Sequence, residues 1–389
     1  MLSIYYDEAA TTPIDPAVRY TIDEAMYKYW NNPSSTYSDS IKVKTILDKS
    51  RELIKSSINA DKSEQIYFTS GGSEGNNMII QGFLKKHPNA NIITSMLEHK
   101  SIIECCKAVC KNLRFVPIDK NGKIKISAIK DLLENKSNNE PTLVIVQLVN
   151  NETGVIQPIS AISRIIKKYD AYLFTDAVQA FPHIKINVNE LNVDFLSVSG
   201  HKFGCPKGIG FVYIRWKDII KPLIYGSQEQ GLRGGTENIP EIIGMAEAIK
   251  RLSYNNNPEI TNVFKEELEN LGCTINGIDT INSIISCTLP EGNYGETIVN
   301  MFDILYHIMI STGSACNSNS GKPSYVLEAM GLSNDEILRT IRISCKNFNE
   351  NGVRYFLKCL KGILANDLNA PILLDNNTRT LRKDNKEVR

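Results

Sequence analysis

The chain has 389 residues, 42% of them apolar and 22% charged, and 44 Lys and Arg against 43 Asp and Glu give a formal net charge of +1. That length suggests two domains of ~100–200 residues each, with the composition of an ordinary folded protein. The charge balance argues against a protein that coats nucleic acid, leaving only a local basic patch open, and no apolar run approaches the ~20 residues of a membrane span.

The first residues, MLSIYYDEAATTP, have an early Asp-Glu pair, no basic flank and no long apolar stretch. They do not read as a secretory signal, and a cytoplasmic setting is expected. Residues 65–69 (QIYFT) predict a strand ending in Ser70-Gly71-Gly72. Residues 73–86, with Met78, Ile79, Gly82 and Phe83 at helical spacing, predict a helix. Further strands are expected at 91–95 (NIITS), 113–118 (LRFVPI), 142–149 (TLVIVQLV), 171–175 (AYLFT), 195–198 (FLSV) and 211–215 (FVYIR). Helices are expected between them, among them 101–111 and 159–169. Such continuous apolar runs fit parallel strands buried on both faces. The alternation implies an α/β fold with a parallel sheet. The polar stretch 255–258 (NNNP) marks a boundary. Beyond it, helices at 259–271, 324–331 and 351–364 and strands at 282–287 and 340–344 describe a smaller α+β domain. The tail 375–389 lacks periodicity and reads as frayed.

The nine cysteines are Cys105, Cys106, Cys110, Cys205, Cys273, Cys287, Cys316, Cys345 and Cys359. No C-x-x-C pair occurs, so the common zinc and thioredoxin spacings are absent. A chain this long does not need disulfide staples. Free thiols in a reducing compartment are expected, with at least one available as a nucleophile. Cys105, Cys106 and Cys110 share a predicted helix, and at least two of them are expected to face the core as small hydrophobes.

Three segments carry polar residues where strands should end. The turn Ser70-Gly71-Gly72-Ser73 opens a helix, whose free N–H groups either bind an anion such as phosphate or are merely capped. Asp176 follows the run 171–175, where an acid needs a partner: a structural salt bridge, a helix cap or a cationic ligand. Ser199-Gly200-His201-Lys202 sets a lysine just past a buried strand, where desolvation makes its amine a better nucleophile. Such a lysine, paired with an acid 26 residues upstream, suits pyridoxal phosphate (PLP) chemistry. The lysine forms a Schiff base, the acid keeps the ring nitrogen protonated, and Ser73 and Ser199 are available to the phosphate.

With these residues in view, the chain resembles the cysteine desulfurases of the NifS/IscS class (the long-loop group I), within the fold-type-I PLP-dependent aminotransferase superfamily. The matching segments are YYDEAATTP (5–13), NNPSS (31–35), FTSGGSEGNN (68–77), EH (98–99), NNETGVIQPI (150–159), TDAVQ (175–179), SGHKFGCPKGIG (199–210), QEQGLRGGTENIP (228–240), STGSACNS (311–318), PSYVLEAMG (323–331) and TIRIS (340–344). They run in the family order to about residue 365. The resemblance implies a large domain, 14–256, built on a mainly parallel seven-stranded sheet flanked by helices. A smaller α+β domain, 1–13 and 257–389, would carry a catalytic cysteine loop at about 311–322.

By the same resemblance Lys202 is the Schiff-base lysine, Asp176 pairs with the ring nitrogen and Gln179 bonds the ring hydroxyl oxygen. His99 stacks on the ring and helps to move protons. Gly72, Ser73, Ser199 and His201 fall at phosphate-binding positions, and Thr236 reaches the phosphate from the other subunit of a homodimer. Asn151 belongs to the cofactor pocket and, with Arg342, to the surroundings of the substrate carboxylate; the planar fork of an arginine suits that group. Cys316 is the sulfur carrier, on a stretch of small and polar residues expected to be a mobile loop. The implied reaction converts L-cysteine to L-alanine and leaves a persulfide on Cys316. The sulfur passes to an acceptor such as an iron–sulfur scaffold or a tRNA thiolation enzyme. No metal site is implied, apart from Cys316 as a ligand of a transferred iron–sulfur cluster, and no direct nucleic-acid or membrane contact.

Some positions depart from the family pattern. Cys205 stands where a Gly or Ala is usual before Pro-Lys-Gly, and either fills space or tunes the site. Gly75 replaces a hydroxyl residue and is expected to loosen the helix start. Gln230 stands where an arginine is usual. Alternative readings are a selenocysteine lyase or a desulfurase dedicated to nucleic-acid sulfur modification, which would use the same residues. An ordinary aminotransferase would not need Cys316. A non-catalytic homologue would have lost the lysine, the acid or the cysteine, and all three are present.

Overall fold

The computed structural model describes residues 3–136, 139–254, 257–313 and 323–366. Cys316, most of the expected loop at 311–322 and the tail lie outside the described residues. The chain begins with β1 (Ile4–Tyr5), α1 (Pro16–Lys28) and α2 (Ser38–Ser57). It continues through β2 (Ile66–Thr69), α3 (Gly72–Lys86), β3 (Asn91–Ser95), α4 (Lys100–Val109), β4 (Asn112–Val116), α5 (Ile126–Glu134) and β5 (Thr142–Ile145). Next come α6 (Ile159–Ile166), β6 (Ala171–Asp176), α7 (Val188–Leu191), β7 (Phe195–Ser199), β8 (Gly210–Ile214) and α8 (Ile239–Lys250).

Strands β2 to β8 form the expected seven-stranded sheet, in the order β2-β8-β7-β6-β5-β3-β4. β8 runs antiparallel to both neighbours and the other pairs are parallel. β2, β3, β5, β7 and β8 are buried along their length, with successive residues pointing to opposite sides into two cores, while the edge strand β4 is mostly half-buried. Leu143 and Ile145 pack with Met78, Phe83, Ile102 and Cys106 from α3 and α4. Val144 and Val146 face a larger core holding Val18, Leu47, Ile129, Ile162 and Met245 from α1, α2, α5, α6 and α8. The run expected as a strand over 142–149 is a strand to Ile145; beyond it Val146 and Leu148 N–H still donate to the Phe174 and Asp176 carbonyls of β6, while Gln147, Val149 and Asn151 line the cavity described below.

The remainder comprises α9 (Pro258–Asn270), β9 (Thr274–Ile275), β10 (Ile284–Thr288), α10 (Gly295–Tyr306), β11 (Ile308–Met309), β12 (Ser311–Thr312), α11 (Tyr325–Ala329), α12 (Asn334–Leu338), β13 (Thr340–Ser344) and α13 (Glu350–Leu364). An antiparallel sheet, β12-β13-β10-β9, packs Ile285, Ile341 and Ile343 against Phe264, Phe302 and Phe356 from α9, α10 and α13. The rings of Phe302 and Phe356 stack with centroids 4.5 Å apart. The N-terminal strand joins this part: β1 pairs with β11, and Tyr6 enters its core. A few residues later Ala9 packs in the core of the large sheet. The segment 6–12 therefore runs between the two cores and past the site.

Gly75 corrects one expectation. A Cβ there would come within 2.7 Å of Val212 Cγ1, so the glycine lets α3 lie tight on the sheet rather than loosening the helix. Cys205 is buried, and burial pushes its thiol well above the ordinary range, with Glu241 adding to the shift. It packs beside Gly200, where a Cβ would meet Cys205 Cβ at 2.8 Å, and it fills space. Gln230 lies at the surface and donates from Nε2 to the Glu64 carbonyl (3.0 Å). Among the described residues no helix is long and apolar enough to cross a membrane.

Candidate active site

The C-terminal ends of parallel strands in an open α/β sheet expose loops and helix starts to a common crevice, and ligands bind there. Here β3 leads to Glu98 and His99, β5 to Gln147–Asn151, β6 ends in Asp176, and β7 leads through Ser199 to Lys202. They surround a cavity of ≈ 360 Å³, closed on another side by Ala9, Ala10, Tyr325 and Arg342. Of the residues singled out from the sequence, Gly72, Ser73, His99, Asn151, Asp176, Gln179, Ser199, His201, Lys202 and Arg342 all line it. Thr236 does not. It lines a separate cleft of ≈ 190 Å³ with Ser70, Arg233 and Glu237. Cys316 lies outside the described residues.

Lys202 Nζ donates to two backbone carbonyls, Ala9 (2.6 Å) and Ala10 (2.8 Å). Gln179 Nε2 donates to the same Ala9 oxygen (2.8 Å). The N-terminal segment thus holds the amine against the cavity. Asp176, 6% exposed, has both oxygens engaged: Val178 N–H donates to Oδ1 and Asn76 Nδ2 to Oδ2, each at 2.9 Å. Asn76 also donates to Ser101 Oγ (2.9 Å) and accepts from Ser197 Oγ (2.6 Å), so its side chain is fixed. Asn76 was not evident in the sequence, because a polar residue in the first turns of a helix reads as solvated.

His99 caps α4. Its Nδ1 accepts the Ser101 N–H (3.1 Å) and lies 2.8 Å from Ser101 Oγ, which orients the ring toward the cavity it lines. His201 Nδ1 lies 3.1 Å from Thr11 Oγ1. Burial lowers His201 to about 4, with Lys202, Lys207 and His99 adding to the effect, so its ring is neutral at pH 7. The turn opening α3 has Gly71 at φ +146°, and a Cβ on Gly72 would lie 2.7 Å from Val178 Cγ2. Only glycine allows that backbone to approach. The result is a cradle of N–H groups at the positive end of a 15-residue helix, with Ser73, Ser199 and His201 around it.

Arg342 is 2% exposed. Its Nη1 donates to the Asn151 carbonyl (2.9 Å) and its Nη2 to Asp7 Oδ1 (2.8 Å). Its Nε is buried and has no hydrogen-bond partner among the described residues. A buried guanidinium with a donor to spare is a carboxylate site in waiting. Two buried acids lie nearby. Glu98 is pushed up to about 8 by burial and by Asp176. Glu152 is pushed up to about 7 by burial, with Ser324, Arg342, Lys100 and His99 opposing.

The residues fit PLP. The helix-start cradle suits a doubly charged phosphate, the fixed Asp176 carboxylate suits a protonated ring nitrogen, and a lysine amine faces the same space. The loop bearing Thr236 is anchored separately. Arg51 makes a bidentate pair with Glu229 (2.7 and 2.8 Å), and Arg233 Nε donates to Glu74 (2.8 Å).

The model of the aminotransferase class-V family matches residues 4–355. Curated relatives include the cysteine desulfurase IscS of Dictyoglomus turgidum, 38% identical over 85% of this chain and 86% of that one. Another is the mitochondrial cysteine desulfurase of Saccharomyces cerevisiae, 37% identical over 92% of this chain and 74% of that one. Among solved structures, a NifS-like protein superposes with a TM-score of 0.85 at 32% identity, over 94% of this chain and all of that one. A structure described as SspA in complex with cysteine gives 0.78 at 32% identity, over 88% of this chain and 99% of that one. The chain belongs to the class-V aminotransferase family, in its NifS/IscS-like cysteine desulfurase group.

Proposed function

We propose that this chain is a PLP-dependent cysteine desulfurase that converts L-cysteine to L-alanine and holds the released sulfur as a persulfide on Cys316. The observation that carries this reading is the convergence of Lys202, Asp176 and the spare donor of Arg342 on one cavity. The names of the relatives point the same way. The division of labour we adopt is a large cofactor-binding domain (14–256) and a smaller one (1–13 and 257–389) that brings Arg342 and Cys316 to it. The active unit is a homodimer in which Thr236 serves the partner's phosphate site, and its setting is a reducing, cytoplasmic compartment.

The PLP phosphate would be held by the Gly72–Ser73 helix start, Ser199 and His201, and the ring by Lys202, Asp176, Gln179 and His99. Bound there, PLP supplies an electron sink that lets the substrate lose its α-proton. Arg342, steadied by Asp7 and the Asn151 carbonyl, orients the substrate carboxylate. Lys202 takes the α-proton and returns one to the substrate, and His99 holds protons beside it. The Cys316 thiolate attacks the substrate sulfur, so a new S–S bond forms as the Cβ–S bond breaks. The bond's electron pair returns to carbon, which takes up the proton lost by the Cys316 thiol and becomes the methyl group of alanine, while the sulfur is oxidised to the persulfide level. Atoms balance without an external oxidant. An iron–sulfur scaffold or a tRNA thiolation enzyme then takes the sulfur.

Two variants test the reading. The purified protein should be yellow, and Lys202→Ala should lose that absorbance. Incubation with L-cysteine should leave one extra sulfur on the wild type by mass spectrometry and none on Cys316→Ala. Undiminished sulfide release by Cys316→Ala in the presence of a reductant would sink the persulfide route. Parallel assay of alanine release from selenocysteine separates the lyase alternative.

A further inference from the structure

Glu152 is buried, yet it takes no part in holding the cofactor or the substrate carboxylate as described above. It stands in the turn after β5, where Asn150 Oδ1 accepts the N–H groups of Glu152 (2.9 Å) and Thr153 (2.8 Å). Asn150 Nδ2 donates to the Leu97 carbonyl (3.1 Å), so the turn is tied to the end of β3. The turn is therefore rigid, and the Glu152 carboxyl projects from it at the cavity edge.

A distant part of the chain meets that carboxyl. Ser324 Oγ donates to Glu152 Oε2. The same Ser324 oxygen accepts Leu327 N–H (3.2 Å) and caps α11. Gly313, near the same carboxyl, is held by its N–H to the Thr340 carbonyl (3.4 Å), and a Cβ built on it would lie 3.8 Å from Glu152 Oε2. The next residue, Tyr325, donates its hydroxyl to the Glu98 carbonyl (2.7 Å). In sequence, Gly313 and Ser324 bracket Cys316.

We propose that Glu152 is a positioning residue for the sulfur-transfer half of the reaction, anchoring Ser324, eight residues after Cys316, to the wall of the cofactor cavity. The proposal rests on the desulfurase reading above. A buried acceptor that takes the Ser324 hydroxyl holds the start of α11 against the cavity wall. Sulfur transfer needs the Cys316 thiolate placed on the substrate sulfur, and small errors in such placement cost large factors in rate. Removal of the α-proton by Lys202 needs no such placement. Glu152 should therefore matter to one half-reaction and not to the other.

The test uses full-length holoenzyme and reads the two halves separately. Exchange of the α-proton of L-alanine with solvent deuterium, followed by NMR, reports Lys202 without Cys316. Single-turnover persulfide formation on Cys316 from saturating L-cysteine, followed by mass spectrometry, reports sulfur transfer. Glu152→Ala should slow persulfide formation about 10-fold, the effect of one lost hydrogen bond, with exchange held within about twofold. Ser324→Ala should do the same. Glu152→Gln keeps an oxygen that accepts from Ser324 and should recover most of the rate. Undiminished persulfide formation in Glu152→Ala, or a parallel fall in exchange, would overturn the proposal while leaving the desulfurase reading intact. A wild type that forms no persulfide on Cys316 would overturn both.

Discussion

Replacing Glu98 with Gln should change how stability depends on pH. Glu98 is fully buried; Ser95 Oγ donates to its Oε1 (2.7 Å) and Gln147 N–H to its Oε2 (2.8 Å). Burial raises its carboxyl from the ordinary 4.5 to about 8, the Asp176 charge adds to the rise, and the two hydrogen bonds oppose it. Between those values the folded chain keeps a proton that the unfolded chain has released. Stability therefore falls as pH rises through the window, and the loss is complete above the folded value. At about 1.4 kcal/mol per pH unit the interval sets a ceiling of about 5 kcal/mol. Local relaxation brings the real figure below it. Glu98→Gln has the shape of the neutral acid. Its amide oxygen takes the Gln147 N–H, its NH₂ group donates to Ser95 Oγ, and it carries no proton to lose. Urea unfolding of both proteins at equal cofactor and protein concentration, near pH 5 and about pH 8.5, measures the difference. The wild type should lose ground to the variant by a few kcal/mol between the two pH values. Parallel pH profiles would refute the assignment of a buried, proton-holding carboxyl at position 98.

Arg342→Ala should raise KM for L-cysteine about 10- to 100-fold, the effect of losing charge-assisted hydrogen bonds to a carboxylate. Steady-state alanine release measures it, and an unchanged KM would remove Arg342 from the substrate site. Asn76→Ala leaves Asp176 Oδ2 without its Asn76 donor and takes the acceptor from Ser197 Oγ. PLP affinity of the apoprotein, titrated by absorbance, should fall about 10-fold. Gly75→Ala forces a methyl group into Val212 and should cost about 1–3 kcal/mol in denaturant unfolding. A neutral result would mean that α3 can shift off the sheet without penalty.

The large sheet was legible because its signal is local. Runs such as 142–145 (TLVI) and 171–175 (AYLFT) are mostly apolar, as a strand buried on both faces requires. The short strands β1, β9, β11 and β12 were not: two residues carry no periodicity, and β1 exists only because β11 lies beside it. At the site the sequence pointed to side chains whose chemistry is conspicuous, Lys202 and Asp176, and the family resemblance added Arg342. It missed those that act by holding others. Asn76 reaches Asp176 across 100 positions, and Asp7 reaches Arg342 across 335. Nothing near Asn76 or Asp7 in the chain announces such a partner. Only the fold brings them together.

The fold sets most of the described cysteines apart from the chemistry proposed for Cys316. Burial pushes the thiols of Cys105 and Cys359 up to about 11 and that of Cys345 to about 12. It pushes Cys205 higher still. Such groups stay protonated at neutral pH and are poor nucleophiles. The remaining four described cysteines pair up. Cys106 lies against Cys110 and Cys287 against Cys273; one thiol of each pair is raised while its partner, accepting the neighbour's S–H, is lowered against an opposing burial effect. Cys106, Cys273 and Cys287 are buried and Cys110 is half-buried, and none of the described cysteines lines the cavity at Lys202. A nucleophile that meets a substrate there is therefore sought outside this set. Cys316 is the remaining cysteine, and Ser324, eight residues after it, donates to Glu152 on the edge of the cavity that Lys202 lines.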